Sequence, residues 1–384
     1  MSDPAAVPNP VPLPAAADSA AANTPTLSTT SSPHDTPGWT TPVAPSAEAG
    51  PSTLRVSVID KWLKPNGPPK GVSFGARKLQ EQDDVWSNNA WDHAELPDDF
   101  EERAAEIMEA HAASPVPDAK VAEYNARPAK YWDKFYSNHA DQFFKNRRWL
   151  PLEFPELVSC CEPDAGPKTV LEVGCGAGNT VFPLLMHNEN PALRIVATDY
   201  SRTAVNVVRS GELYPRAPHG LGELSASVWD ISSRPNEEAV AQGVTYSLPE
   251  GVEAGSVDVL TVVYVLSALH PDEWAQAVHN LYSCLKPGGL LLVRDYGRHD
   301  LAQLRIKKER LLDVPNFYIR GDGTRVYFFE KDQLGDMLTA PPRGAETGNM
   351  FKIHQLAEDR RLLVNRKEQK KMYRIWLQVK ATKV

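Results

Sequence analysis

From residue 168 onward the chain alternates between two spacings of apolar residues. Short runs bounded by Gly, Pro or acidic residues read as buried strands at 169–173, 193–199, 225–230, 257–266 and 290–293, with later strands at 326–329 and 372–379. Between them, Val181, Leu184 and Leu185 recur at helical spacing, and 271–285 forms an amphipathic helix closed by Lys286-Pro-Gly288-Gly289. The run 257–266 is apolar on both faces, so it belongs at the centre of a sheet covered by helices on both sides. This alternation predicts an α/β fold, a doubly wound seven-stranded sheet with helices on both faces.

Ahead of that core the periodicity is helical only. Residues 100–113 read as an acidic helix with Ile107, Met108 and His111 near one face, ended by Pro115 and Pro117. A second helix carries Tyr131-Trp-Asp-Lys-Phe-Tyr136, followed by Phe143, Phe144 and Trp149. Trp132 and Tyr136 are four apart and share a face. By pattern alone such an aromatic stripe is more often core than a lid over a ligand. The expected organisation is a tail at 1–54, a helical extension at 55–150 and the α/β domain at 151–384.

Composition separates the tail from the rest. Residues 1–54 are rich in Pro, Ala, Ser and Thr, with few large apolar side chains, so they cannot offset their ordering entropy and read as disordered. The first basic residue is Arg55, which argues against an Arg-rich mitochondrial address. With no basic and apolar leader and no apolar run long enough to span a bilayer, the expected location is the cytoplasm and no membrane partner is implied. Cys160, Cys161, Cys175 and Cys284 have no C-x-x-C spacing, so free thiols are expected and a metal is not. The net charge of −8 hides an asymmetry, with acids concentrated in 81–109 and bases in 294–325 and 360–383. The basic runs suit either a solvated face or phosphate.

The candidate chemistry sits in Lys168-Thr-Val-Leu-Glu-Val-Gly-Cys-Gly-Ala-Gly-Asn179, a strand, a glycine turn and a helix start. The spacing is G-x-G-x-G, and Asn179 falls where a dinucleotide fingerprint would place its third glycine. Glu172, two residues before Gly174, would repel a pyrophosphate but suits the sulfonium and amino group of S-adenosylmethionine. Gly174 and Gly176 let the backbone approach such a ligand. Asp199, ending the next strand, is spaced to accept from ribose hydroxyls. Asp230, followed by Ile231, ends the third strand, where such a cofactor's adenine amino group would lie. Arg294-Asp-Tyr-Gly297 falls at the end of the fifth strand, beside the transferred methyl group.

The residues outside the core carry a resemblance. Trp132-Asp-Lys-Phe-Tyr136, Phe143-Phe-Lys-Asn-Arg-Arg-Trp149, Glu153-Phe-Pro-Glu156, Arg294-Asp-Tyr-Gly297 and Asn316-Phe-Tyr-Ile-Arg-Gly-Asp-Gly-Thr-Arg-Val-Tyr-Phe-Phe329 resemble the tRNA 3-methylcytidine methyltransferases, which act on cytidine 32 of the anticodon loop. The resemblance covers roughly residues 70–382. Phe74-Gly-Ala-Arg77, Asn89-Ala-Trp-Asp92 and Asp359-Arg-Arg-Leu-Leu-Val-Asn-Arg366 resemble the branch acting on threonine tRNA more than the serine branch that leans on seryl-tRNA synthetase.

That resemblance implies a class I S-adenosylmethionine-dependent methyltransferase fold, Rossmann-like, with tRNA as partner. It implies that Trp132 and Tyr136 close over the cofactor, with further contacts at Gly174, Asp199, Asp230, Ile231 and Val263. Asp295 is the candidate carboxylate for the cation that develops on the methylated base, with Tyr296 or Tyr264 packing on that base. Arg294, Arg320, Arg325 and Arg366 are candidates for phosphate, pairing within the chain being the alternative for each. A methyltransferase acting on a protein or small molecule, and a non-catalytic tRNA-binding scaffold, are the competing classes. The acidic N-terminal third has the charge to recruit an accessory protein, an aminoacyl-tRNA synthetase among the candidates, but the sequence names none.

Overall fold

The computed structural model describes residues 57–63, 77–139, 147 and 149–384. The expected disordered tail, the Phe74-Gly-Ala stretch and the basic stretch from Phe143 to Asn146 with Arg148 lie outside the described residues.

Ten strands are present among the described residues: β1 (Ala90–Asp92), β2 (Lys168–Val173), β3 (Leu193–Asp199), β4 (Glu223–Val228), β5 (Val257–Val263), β6 (Leu285–Tyr296), β7 (Phe317–Ile319), β8 (Arg325–Tyr327), β9 (Phe351–Asn365) and β10 (Lys370–Lys383). Eight of them form one sheet in the order β1-β9-β10-β6-β5-β2-β3-β4. The five from β4 to β6 run parallel, and β10, β9 and β1 are added antiparallel at the far edge. Strand order reverses between β3 and β5 on either side of β2, so the crevice above β2 and β5 is the place where a doubly wound sheet binds its ligand.

Alternation along the central strands sorts side chains between two cores. Val257, Leu260 and Val262 enter one cluster with Trp274 and Leu281 of the helix Pro271–Cys284. Val259 and Val263 enter the other, with Val181 and Leu185 of the helix Val181–His187. Burial on both faces is what a run apolar on both faces at 257–263 required.

The seven strands expected from the pattern differ from the observed sheet in three places. The run 326–329 does not join it as a strand; β7 and β8 pair as a small hairpin, and an isolated bridge from Phe329 to Gly297 ties that run to the end of β6. In its place the sheet takes β9, a strand hidden in the sequence because Glu358-Asp-Arg-Arg361 looks like a solvated charge run. The charges are neutralised inside instead: Arg361 is 4% exposed and reaches Asp92 at 3.4 Å and Glu153 at 3.1 Å. Asp92 belongs to β1, so the N-terminal extension is not purely helical. It adds an edge strand, and Trp91 packs against Leu362 and Val364.

Candidate active site

Val173 ends β2, and the chain turns sharply through Gly174, Gly176 and Gly178, all at positive φ. At Gly174 a Cβ would stand 2.2 Å from Val265 Cγ2, and at Gly176 one would stand 2.6 Å from the Tyr136 hydroxyl. Glycine is therefore required twice over, by conformation and by space. Asp199 stitches the turn to β3: its Oδ2 accepts from Gly176 N at 2.8 Å and its Oδ1 from Ser201 N at 2.8 Å. Burial pushes its carboxyl up to about 6, opposed by those amides.

The helix Pro128–His139 lies across this turn. Trp132 and Tyr136 stack with ring centroids 6.1 Å apart. Asp133, on the same helix, accepts from Ser201 Oγ at 2.6 Å and from Thr203 N at 3.0 Å, clasping the helix to the start of the helix Arg202–Arg209. A cavity opens beneath. Trp132, Tyr136, Gly174, Asp199, Asp230 and Ile231 all line it. The arrangement fits S-adenosylmethionine: two acids at successive strand ends, an apolar slot, a close-approach glycine and an aromatic cover. The aromatic stripe is therefore both packed, with Phe135 and Tyr136 buried, and part of the cavity wall.

Three of the residues singled out for the cofactor lie off the cavity wall. Glu172 is 1% exposed and sits behind the glycine turn, near Arg147 Nη1 at 3.5 Å. Burial pushes its carboxyl up to about 7 against the pull of that guanidinium. Gly176 is covered by Tyr136. Val263 points into the core, and the wall at the end of β5 is made by Tyr264 and Val265. The sequence reading missed Val265, and it missed Asp133 as the clasp.

At the cavity mouth Tyr264 and Tyr296 face each other with centroids 4.8 Å apart. Tyr264 holds φ +60°, rare for a bulky side chain, and its N–H donates to Arg294 O at 2.8 Å. Residues held in this region cluster at functional sites.

Of the charged candidates, Asp295, Arg294 and Arg325 are enclosed, the two arginines paired within the chain as the alternative for them expected. Asp295 is fully buried, and its Oδ2 accepts from Ser267 N at 3.0 Å and its Oδ1 from Tyr296 N at 2.9 Å. Burial pushes it up to about 6. It underlies the tyrosine pair rather than facing a base. Arg294 is 3% exposed, donates to Gln378 Oε1 at 2.7 Å and to Asp359, and lies between Trp149 and Trp376 at 5.1 and 5.0 Å. No phosphate reaches it there. Arg325 is equally enclosed, pairs with Glu273 at 3.0 Å and lines the cavity. Arg320 stands half-buried over the Tyr296 ring at 5.4 Å. Arg366 is exposed at the β9–β10 turn, donating to Asn89 Oδ1 at 2.6 Å.

The fold and this cavity define a class I methyltransferase. A family model described as a methyltransferase domain matches residues 171–291. The chain is 46% identical over 311 residues, 81% of its length and 92% of the relative's, to the tRNA N(3)-methylcytidine methyltransferase trm140 of Schizosaccharomyces pombe. It is 45% identical over 306 residues to the tRNA(Thr) (cytosine(32)-N(3))-methyltransferase of Saccharomyces cerevisiae, covering 79% of this chain and 45% of that longer protein. The tRNA N(3)-cytidine methyltransferase METTL2 of Xenopus tropicalis is 37% identical over 346 residues, covering 82% of this chain and 95% of the relative. The chain belongs to the tRNA N(3)-cytidine methyltransferase family.

Proposed function

We propose that the chain transfers the methyl group of S-adenosylmethionine to N3 of cytidine 32 in the anticodon loop of threonine tRNA, with serine tRNA the second candidate acceptor, and that it acts in the cytoplasm. The observation that carries the reading is the 46% identity across 92% of the fission-yeast relative. The name of the budding-yeast relative specifies the tRNA and the base.

Bound S-adenosylmethionine supplies a methyl group activated on a sulfonium. Cytosine N3 carries a free lone pair, so no base need remove a proton before attack. The work of the protein is alignment and exclusion of water. Asp199 accepts from the ribose hydroxyls, Asp230 from the adenine amino group, and Trp132 with Tyr136 covers the site. N3 lies on the Watson–Crick edge, so the base must leave its stack. The Tyr264–Tyr296 pair offers the aromatic faces to receive it. Positive charge then develops on the ring, and the ionised Asp295 beneath the pair opposes it through the low-dielectric interior without touching the base.

RNA phosphates are held further out. Trp376 of β10 pairs with Tyr296, and the strand runs on to the basic turn at Arg366, Lys367, Lys370 and Lys371. At about 3.4 Å per residue, Lys370 stands roughly 20 Å beyond the reaction centre. Arg366 there and Arg320 beside the tyrosines are the two candidate arginines left to meet phosphate.

The test compares unmodified threonine and serine tRNA transcripts with S-adenosylmethionine, each with and without its aminoacyl-tRNA synthetase. Threonine tRNA is expected to gain 3-methylcytidine with no synthetase added. Methylation of serine tRNA alone, and only with its synthetase, would contradict the acceptor assignment.

A further inference from the structure

The turn between β7 and β8 touches three parts of the site at once. It is stiff: Arg320 N donates to Thr324 O at 2.8 Å, Gly323 N donates to Arg320 O at 3.0 Å, and Thr324 N and Oγ1 both donate to Asp322 Oδ1, at 2.9 and 2.7 Å. At its tip Gly323 holds φ +85°, and a Cβ there would stand 2.3 Å from Cδ1 of Tyr131. Tyr131 precedes Trp132 on the helix that covers the cofactor cavity. At one end of the turn, Arg325 lines that cavity, donates from Nε to Ala268 O at 3.2 Å and from Nη1 to Asn125 Oδ1 at 3.4 Å, and so also holds the helix Asp118–Ala126 that leads into the lid. At the other end, Arg320 faces the Tyr296 ring.

From this arrangement we propose that the Gly323 turn is the seat of the lid: a positioning element that sets the helix Pro128–His139 over the cofactor by receiving the Tyr131 ring. The proposal rests on the cavity being the S-adenosylmethionine site and does not depend on which acceptor is methylated. The glycine has two reasons to be there. Its φ excludes most side chains, and the ring occupies the space a Cβ would need. Displacing Tyr131 would tilt the face that carries Trp132 and Tyr136 and leave the cavity partly uncovered. Cofactor affinity then falls by the fraction of molecules whose lid remains seated. Chemistry in a molecule with its cofactor bound is unaffected.

The experiment is calorimetric titration of the purified full chain with S-adenosylhomocysteine, without RNA, alongside steady-state kinetics. Gly323→Ala is expected to weaken binding on the order of 10-fold and to raise KM for the cofactor equally, with kcat at saturating cofactor within about twofold of the parent. Tyr131→Ala should weaken binding by itself. The double variant should lose less than the sum of the two single losses, because without the ring the added methyl group meets only the strain of its own φ. Thermal melts of the ligand-free variants check that each is folded. Unchanged affinity in a folded Gly323→Ala, or additive losses in the double variant, would overturn the proposal. If no tRNA is methylated but Gly323→Ala still weakens homocysteine-nucleoside binding in this pattern, the acceptor reading falls and the seat stands.

Discussion

The Tyr136 hydroxyl lies so close over Gly176 that a Cβ at that position would meet it at 2.6 Å. Lid and glycine turn are thus in contact, and the turn amide at Gly176 is in addition held by Asp199. Gly176→Ala must either push Tyr136 out or break the hydrogen bond from its own N–H to Asp199. Cofactor affinity is expected to fall at least as far as in Tyr136→Ala, by on the order of 10- to 100-fold. Titration with S-adenosylhomocysteine reads this directly. Near-parental affinity would mean that the turn tolerates a side chain and that the contact has no role in binding.

Three buried carboxyls sit above their ordinary range, Glu172 near 7 and Asp199 and Asp295 near 6. The folded chain therefore holds protons that the unfolded chain has released. The stability these groups contribute is complete below about pH 4 and is lost as pH rises through about 6 to 7. Under the proposed function cofactor binding has the opposite sign, because a ribose hydroxyl would donate to an ionised Asp199. Between about pH 5.5 and pH 8 the melting temperature of the ligand-free protein should fall while cofactor affinity climbs. Asp199→Asn should flatten the affinity profile and leave most of the melting trend, which Glu172 and Asp295 still supply.

Arg294 and Arg366 separate structure from RNA binding. Arg294 is sandwiched between Trp149 and Trp376 and paired with Asp359. Removing it leaves Asp359 with Arg361 as its remaining partner at 3.1 Å and empties the space beside two tryptophans, so Arg294→Ala should destabilise the fold by roughly 3 kcal/mol. Arg366→Ala should leave stability within about 0.5 kcal/mol and lower the salt slope of tRNA binding by about 1. Denaturant melts and binding isotherms across ionic strength distinguish the two. A reduced salt slope in a folded, charge-removing Arg294→Met protein would place Arg294 on the RNA after all.

Much of the core was legible because its signals are local. The glycine turn, the doubly apolar run at 257–263 and the acids ending β3 and β4 each state their role in a few neighbouring residues. What was not legible depends on partners distant in sequence. Arg294 and Asp295 adjoin, so a strand sends them to opposite faces. Only the pairing of β10 against β6 encloses both. Arg325 looks like a basic surface residue until the β7–β8 hairpin folds it against Glu273. β9 hides its strand character in charges whose partners, Asp92 and Glu153, lie far upstream.

Tyr264 is expected to act on the acceptor and not on stability. Its side chain lines the cavity mouth and pairs with Tyr296 at 4.8 Å. Losing one stacking face costs about 1–3 kcal/mol per base. Tyr264→Ala should lower kcat/KM for tRNA by roughly 10- to 100-fold, while Tyr264→Phe keeps most of it. If Phe fails as Ala does, the hydroxyl rather than the ring is what the reaction needs.

The most direct test of the account is the site of the methyl group itself. Threonine tRNA transcripts carrying C32 or U32 would be incubated with the protein and S-adenosylmethionine, digested to nucleosides and analysed by mass spectrometry. The account predicts 3-methylcytidine from the C32 transcript, none from U32, and severe loss with Asp199→Ala enzyme. Methylation of both transcripts alike, or of neither under conditions where the protein binds the cofactor, would contradict it.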